Sequence, residues 1–132
     1  MLSFMIVMAQ CIFCNIAKKK GAAKIIYETS KIIAFLDINP VTIGHVLVIP
    51  KKHSVNIYDI SNSDYVDVMN AAKKIAESYR ACNGVENVNL IQSSGKFAQQ
   101  DIFHFHIHVI PRYVNDKQDF IFHSQTKLKK QL

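Results

Sequence analysis

Over residues 103–111 the chain reads FHFHIHVIP, large apolar side chains alternating strictly with histidine from Phe103 to Val109. A period of two is the pattern of a strand, whose successive side chains point to opposite faces of its sheet. It predicts Phe103, Phe105, Ile107 and Val109 against a core, and His104, His106 and His108 in a row on the other side. Apolar, β-branched runs at 24–28 and 31–37, separated by Thr29 and Ser30, predict a hairpin. Residues 45–49, entered through Gly44 and closed by Pro50, predict a third strand, and residues 87–93 a fourth. The period changes over 64–82, where Tyr65, Met69, Ala72, Ile75, Ala76 and Tyr79 recur three or four apart, opposite Lys73, Lys74, Glu77 and Arg80. That spacing predicts an amphipathic helix. Ser61 followed by Asp64 resembles a capping box, and Gly84 stands where a C-terminal cap belongs. Phe13, Ile16 and Ala17 give residues 11–20 one apolar side and predict a short helix, broken by Gly21. These elements add up to an α+β domain: an antiparallel five-stranded sheet with one long helix and a short N-terminal helix.

Outside residues 11–112 the pattern weakens. Residues 1–10 are apolar but carry no basic start and fall far short of the roughly 20 residues that span a bilayer. They are expected to form a loosely docked tail, within which Met5 and Met8 offer alternative starts. Residues 94–101 read as a polar loop, and 113–132 as a C-terminal tail associated with the domain. A length of 132 residues with 49% hydrophobic content fits one domain with its own core. The net charge of +6 favours anionic partners but does not choose among them. Its local concentrations, Lys18 to Lys20 and Lys127, Lys129 and Lys130, read as solvated faces without an aromatic stacking platform. Neither a nucleic acid nor a membrane is therefore the expected partner. Cys11, Cys14 and Cys82 are an odd set that fits a reducing cytoplasm better than a disulfide framework. Cys82 is expected to be a small packing residue of the long helix.

The histidine row carries the candidate chemistry. One histidine on a strand is ordinarily a solvated or hydrogen-bonded polar residue, but three in register against an apolar face are poorly explained that way. At a strand's rise, neighbouring histidines stand about 7 Å apart and the outer pair about 13 Å apart. The outer pair is thus not expected to share one metal ion, and the row suits an extended ligand such as a chain of phosphates. Cys11-x-x-Cys14 is half of a structural zinc site, for which His53 and His104 are candidate completing ligands. Zinc is the preferred reading, with a redox pair or a coincidence as alternatives for the two cysteines and a solvated strand-end residue for His53. A mononuclear zinc hydrolase, with His104 and His106 as ligands and a water in an open position, is a further arrangement.

The segments CIFCNI, IIAFLDINPVTIGHVLVIPKKH and QDIFHFHIHVIPR together resemble the histidine triad (HIT) family, specifically its Hint branch, over nearly all of residues 11–112. That resemblance implies a homodimer formed through the long helix and adjoining strands. It implies hydrolysis or transfer of nucleoside monophosphates, typically cleavage of purine nucleoside phosphoramidates at the phosphorus–nitrogen bond. It makes His106 the nucleophile that forms a covalent nucleotidyl-histidine, with His108 on the phosphate oxygens, His45 assisting the departing group, and Gln100 facing phosphate or leaving group. Asp37 is implied to bind the ribose hydroxyls, and Ile38, Phe13 and Ile16 to enclose the base. Ser93 stands where relatives commonly carry an asparagine contact. Cys11, Cys14, His53 and His104 are implied as ligands of a structural Zn2+, and no catalytic metal is expected. Two further departures are Gln99, where glycine often precedes the glutamine, and Gly21-Ala22 in place of an Ile-Pro pair. A zinc-stabilised nucleotide sensor with little turnover and a dinucleoside polyphosphate hydrolase remain alternatives.

Overall fold

The computed structural model describes residues 10–125, so the expectation for residues 1–10 lies outside them except at Gln10, and residues 126–132 are likewise undescribed. The elements run α1 (Ile12–Ala17), β1 (Ile25–Glu28), β2 (Ile32–Leu36), β3 (Val46–Pro50), α2 (Asn62–Asn83), β4 (Val88–Ile91) and β5 (Ile107–Pro111), with one 3-10 turn at Lys96–Ala98. The strands form one sheet in the order β1-β2-β3-β5-β4. Every neighbouring pair is antiparallel.

Period-two alternation divides β2, β3 and β5 between two cores. Ile32, Ala34, Val46, Val48, Ile107 and Val109 face α2 and close on its Val68, Ala71, Ala72 and Ile75. Ile33, Phe35, Leu47 and Ile49 point the other way and are covered by Phe13 and Ile16 of α1. Both faces of the central strands are buried, which is why β2 reads as an unbroken apolar run rather than an alternating one. The short helix therefore has a structural task beyond its length: it roofs half of a sheet face. Ser61 caps the start of α2, its hydroxyl accepting from the Asp64 N–H, and Gly84 closes the helix in the left-handed conformation at φ 66°.

Two expectations need correction. The alternating stretch is a strand only from Ile107. Phe105 still enters the α2-facing core, but Phe103 is 53% exposed. The β3–β5 ladder runs Val46↔Val109 to Val48↔Ile107, and its continuation would bring Phe105 opposite Pro50, which has no N–H to donate. The Phe105 N–H bonds the Ser54 carbonyl instead, at 2.7 Å. With the ladder ended, residues 103–106 are free to bend, and the site depends on that bend. The second correction is Cys82, which is exposed rather than packed.

Candidate functional site

The bend turns the His104 carbonyl toward the ring of His106, 2.7 Å from Nδ1. A carbonyl only accepts, so the Nδ1 of His106 carries the proton and its Nε2 keeps a lone pair. The ring is buried, held edge-on by Phe13 at 5.3 Å and by His108 at 5.0 Å between centroids.

A second chain of bonds fixes His108. The Val41 N–H donates to His45 Nδ1 at 3.2 Å, which puts the His45 proton on Nε2. That Nε2 lies 2.9 Å from His108 Nδ1, so His45 donates and His108 carries its own proton on Nε2. Asp37 supports the arrangement, with Oδ2 3.5 Å from His45 Nε2 and Oδ1 accepting the Asn39 N–H at 2.8 Å. The loop presenting His45 is tied down by several elements. Thr42 Oγ1 donates to the Pro111 carbonyl, Tyr79 Oη to the Gly44 carbonyl and Tyr113 Oη to the Ile43 carbonyl, each at 2.7 Å. Gly44 sits at φ 86° with the Tyr79 ring against it, a conformation and a clearance that favour glycine.

Two neighbouring imidazoles thus hold opposite states at the same nitrogen: His106 offers a lone pair at Nε2 and His108 a proton. Both line a cavity of about 440 Å3. Phe13, Ile16, Phe35 and Leu47 form its apolar wall, with Asp37 and Ile38 beside them. Ile38 is 84% exposed and stands at the rim. Of the positions singled out in the sequence, Phe13, Ile16, Asp37, Ile38, His106 and His108 are brought together here, with His45 behind His108.

Gln100 and Ser93 are not among the lining residues. The buried Gln100 side chain is bonded to backbone groups of its own loop and of Val55. Its Oε1 accepts the Gly95 N–H at 2.8 Å, and its Nε2 donates to the carbonyls of Val55 at 2.6 Å and Ile102 at 3.1 Å. Gln99, where the family often has glycine, adopts φ 68°, the left-handed conformation in which glycine costs least. Asp101, which sequence reasoning passed over, lines the cavity and brings Oδ1 to 4.0 Å from His106 Nε2. The only signal for it was its place directly after Gln100.

His104 leaves the row altogether. It is fully buried and points away from the cavity, into a group with Cys11, Cys14 and His53 whose ligand atoms all lie within 4.8 Å of one another. Cys14 Sγ is 3.2 Å from His53 Nδ1 and 3.5 Å from His104 Nδ1, and Cys11 Sγ is 3.4 Å from His104 Nδ1. A tetrahedral zinc with bonds of about 2.0–2.3 Å has edges of about 3.3–3.8 Å, so the donor set matches in type and spacing. The Pro50 carbonyl, 2.8 Å from His104 Nε2, fixes the tautomer that leaves Nδ1 free to coordinate. Burial pushes the Cys14 thiol up to about 12, helped by its hydrogen bond with Cys11. His106 belongs to no such group among the described residues, and its Nδ1 proton is already placed, so the arrangement with His104 and His106 on one zinc has no geometric support.

Burial, followed by the charges of His106 and His45, lowers His108 to about 4, and burial lowers His45 in the same direction. The unfolded chain therefore binds more protons than the folded one between about pH 4 and the ordinary histidine value of 6.5. Stability should rise with pH across that window, and fall as the solution is acidified from pH 7 to pH 5. Urea unfolding at several pH values checks this, and His108→Gln should show a shallower pH dependence than the parent protein.

Fold and site together define a small α+β protein that uses backbone carbonyls and amides to set histidine tautomers around an apolar cavity. The HIT domain model matches residues 18–115, and the chain belongs to that family. An uncharacterised HIT-like protein of Borreliella burgdorferi is 40% identical over 83% of this chain and 80% of its own. The adenosine 5'-monophosphoramidase of Schizosaccharomyces pombe is 38% identical over 77% of this chain and 74% of its own. Among solved structures, a zinc-bound histidine triad family protein from Mycobacterium smegmatis superposes with a TM-score of 0.80 at 36% identity, covering 86% of this chain and 82% of that one.

Proposed function

We propose that the protein hydrolyses nucleoside 5'-phosphoramidates, or closely related nucleotidyl substrates, to the nucleoside monophosphate through a covalent intermediate on His106. The observation that carries this reading is the pair of tautomers. The His104 carbonyl leaves His106 Nε2 unprotonated, while the Val41–His45–His108 chain leaves a proton on His108 Nε2. In the first step the His106 Nε2 lone pair attacks the α-phosphorus. The phosphorus–nitrogen bond breaks, and its electron pair leaves with the amine, which takes a proton from solvent. The His108 Nε2–H donates to a phosphate oxygen as charge builds there. In the second step a water attacks phosphorus, the bond to His106 breaks with its pair returning to Nε2, and the water's proton goes to solvent. The net reaction is phosphoramidate plus water to monophosphate plus amine.

The cavity supports the rest of the substrate. Phe13, Ile16 and Leu47 give a planar base apolar contact, and the Asp37 carboxylate can accept from two ribose hydroxyls. The name of the Schizosaccharomyces pombe relative, an adenosine 5'-monophosphoramidase, agrees with adenosine as a substrate nucleoside. Zinc on Cys11, Cys14, His53 and His104 is part of this proposal, supported by the donor geometry and by the zinc-bound Mycobacterium smegmatis structure. Bound there, it would clamp the start of α1 to the residues preceding β5. A homodimer is also proposed. The outer strand β4 exposes Val88 and Leu90, an apolar edge suited to burial against a second copy.

The test is intact-protein mass spectrometry during turnover of adenosine 5'-phosphoramidate, quenched in the first turnovers. An adenylyl adduct on a peptide containing His106, together with AMP release, is the expected result. Saturable AMP binding with neither adduct nor release would instead indicate a nucleotide sensor.

A further inference from the structure

Asp101 has no part in the mechanism above, yet its carboxylate stands nearer the reactive nitrogen of His106 than any other acidic group among the described residues. Its side chain is 82% exposed, so it faces the open side of the site rather than the core. It is nevertheless not loosely placed. The Ile102 N–H donates to Asp101 Oδ1 at 2.9 Å, and the preceding residue is the anchored Gln100, whose amide is bonded on both sides to the backbone of the loop and of Val55. The loop thus holds a carboxylate at the mouth of the cavity beside the nucleophile.

The charges around it make the placement informative. Lys20 is the single cation among the lining residues, and it lies in the α1–β1 connection beside Gly21. At the histidine end the charged lining residues are Asp37 and Asp101. Asp37 is turned toward His45, which leaves Asp101 to meet whatever projects outward from the phosphorus. A phosphate chain leaving from there would bring several negative charges to a carboxylate that, among the described lining residues, has only Lys20 in the α1–β1 connection to offset them. An amine bearing a further positive charge would be drawn to it.

We propose that Asp101 is a specificity residue that selects substrates whose leaving group is a cationic amine over those whose leaving group is anionic. The inference rests on the phosphoramidase reading and deepens it by naming the substrate class. An exposed carboxylate about 5 Å from a unit charge, in surroundings close to bulk water, changes its affinity about fourfold, so exchanging a positive for a negative tail changes it by about tenfold or somewhat more.

The experiment compares adenosine 5'-phosphoramidates of 1,3-diaminopropane, β-alanine and propylamine, which differ in tail charge at similar length. Wild-type kcat/KM should favour the cationic tail over the anionic one by about tenfold. Asp101→Asn, which keeps an oxygen for the Ile102 N–H, should reduce that ratio to within about threefold while unfolding at the same temperature. The ratio is a readout that a purely structural role would not move. An unchanged ratio in Asp101→Asn, or a wild-type preference for the anionic tail, would overturn the assignment of Asp101 alone. Absence of AMP release and of adduct with all three compounds would remove the phosphoramidase reading and this inference with it.

Discussion

Replacing His106 with alanine should lower kcat by at least about 10^4 and abolish the nucleotidyl adduct, while AMP affinity changes only a few-fold. That loss corresponds to about 5.5 kcal/mol of transition-state stabilisation, more than any neighbouring hydrogen bond can supply. The reason lies in the tautomer argument. Only His106 combines a lone pair on the cavity side with a proton locked on the far nitrogen, and His108 next to it is locked the other way. Neither neighbouring histidine can take over its role, since His108 and His45 both have their outward-facing or shared nitrogen protonated. The ribose and base contacts remain, so binding should survive. The alanine variant also opens a hole beside Phe13 and leaves the His104 carbonyl without its donor, which costs stability as well as chemistry. His106→Asn is the companion variant, because its amide can still donate to that carbonyl. Both variants should be inactive, and the asparagine form should be the more stable. Single-turnover kinetics with adenosine 5'-phosphoramidate decide the matter: hydrolysis by folded His106→Asn within tenfold of wild type would mean that another atom attacks phosphorus.

The parts of this site that were legible in the sequence are those that follow a period. The long helix announced itself through spacing and caps, and the hairpin through its β-branched runs, because each depends on contacts within a few residues. Alternation over residues 103–111 was legible too, but it continues four residues beyond the point where β3 can pair with it. Pairing ends where Pro50 removes a donor, a fact about a different segment. Alternation alone therefore puts the three histidines in one row, and their separate roles come from the Cys11-x-x-Cys14 pair and the family resemblance, whereas the fold separates them by the bend into one ligand candidate, one lone pair and one proton. Gln100 shows the same limit from another side. Its role comes from the family resemblance alone, and its bonds to the Gly95 N–H and the Val55 carbonyl depend on how the loop folds back. Asp101 has no periodic neighbour at all, and only its 4.0 Å approach to His106 distinguishes it from an ordinary surface acid.

Removal of the zinc proposed for the Cys11, Cys14, His53 and His104 group should have the other large effect, and it should act on the fold before the chemistry. Zinc binding by structural sites contributes several kcal/mol to folding, so chelation or Cys14→Ser is expected to lower the melting temperature by on the order of 10 °C or more. The group joins three parts of the chain: the start of α1, the segment after β3 and the bend before β5, the last two already linked by the Phe105 N–H to the Ser54 carbonyl. Without metal, Cys14 is a buried thiol held protonated, and two half-buried or buried imidazoles face it. Binding must displace the thiol protons, so affinity should weaken as pH falls. The effect on turnover distinguishes a clamp from a catalyst. His104 supplies the carbonyl that sets the His106 tautomer, so loosening the group should lower activity along with the folded fraction. Well below its lowered melting temperature, however, the chelated protein should retain most of its kcat. Elemental analysis should find one zinc per chain in the parent and none in Cys14→Ser. A parent that lacks zinc and melts unchanged with chelator would refute the clamp, and activity that vanishes on chelation while the protein stays folded would place the metal in the chemistry instead.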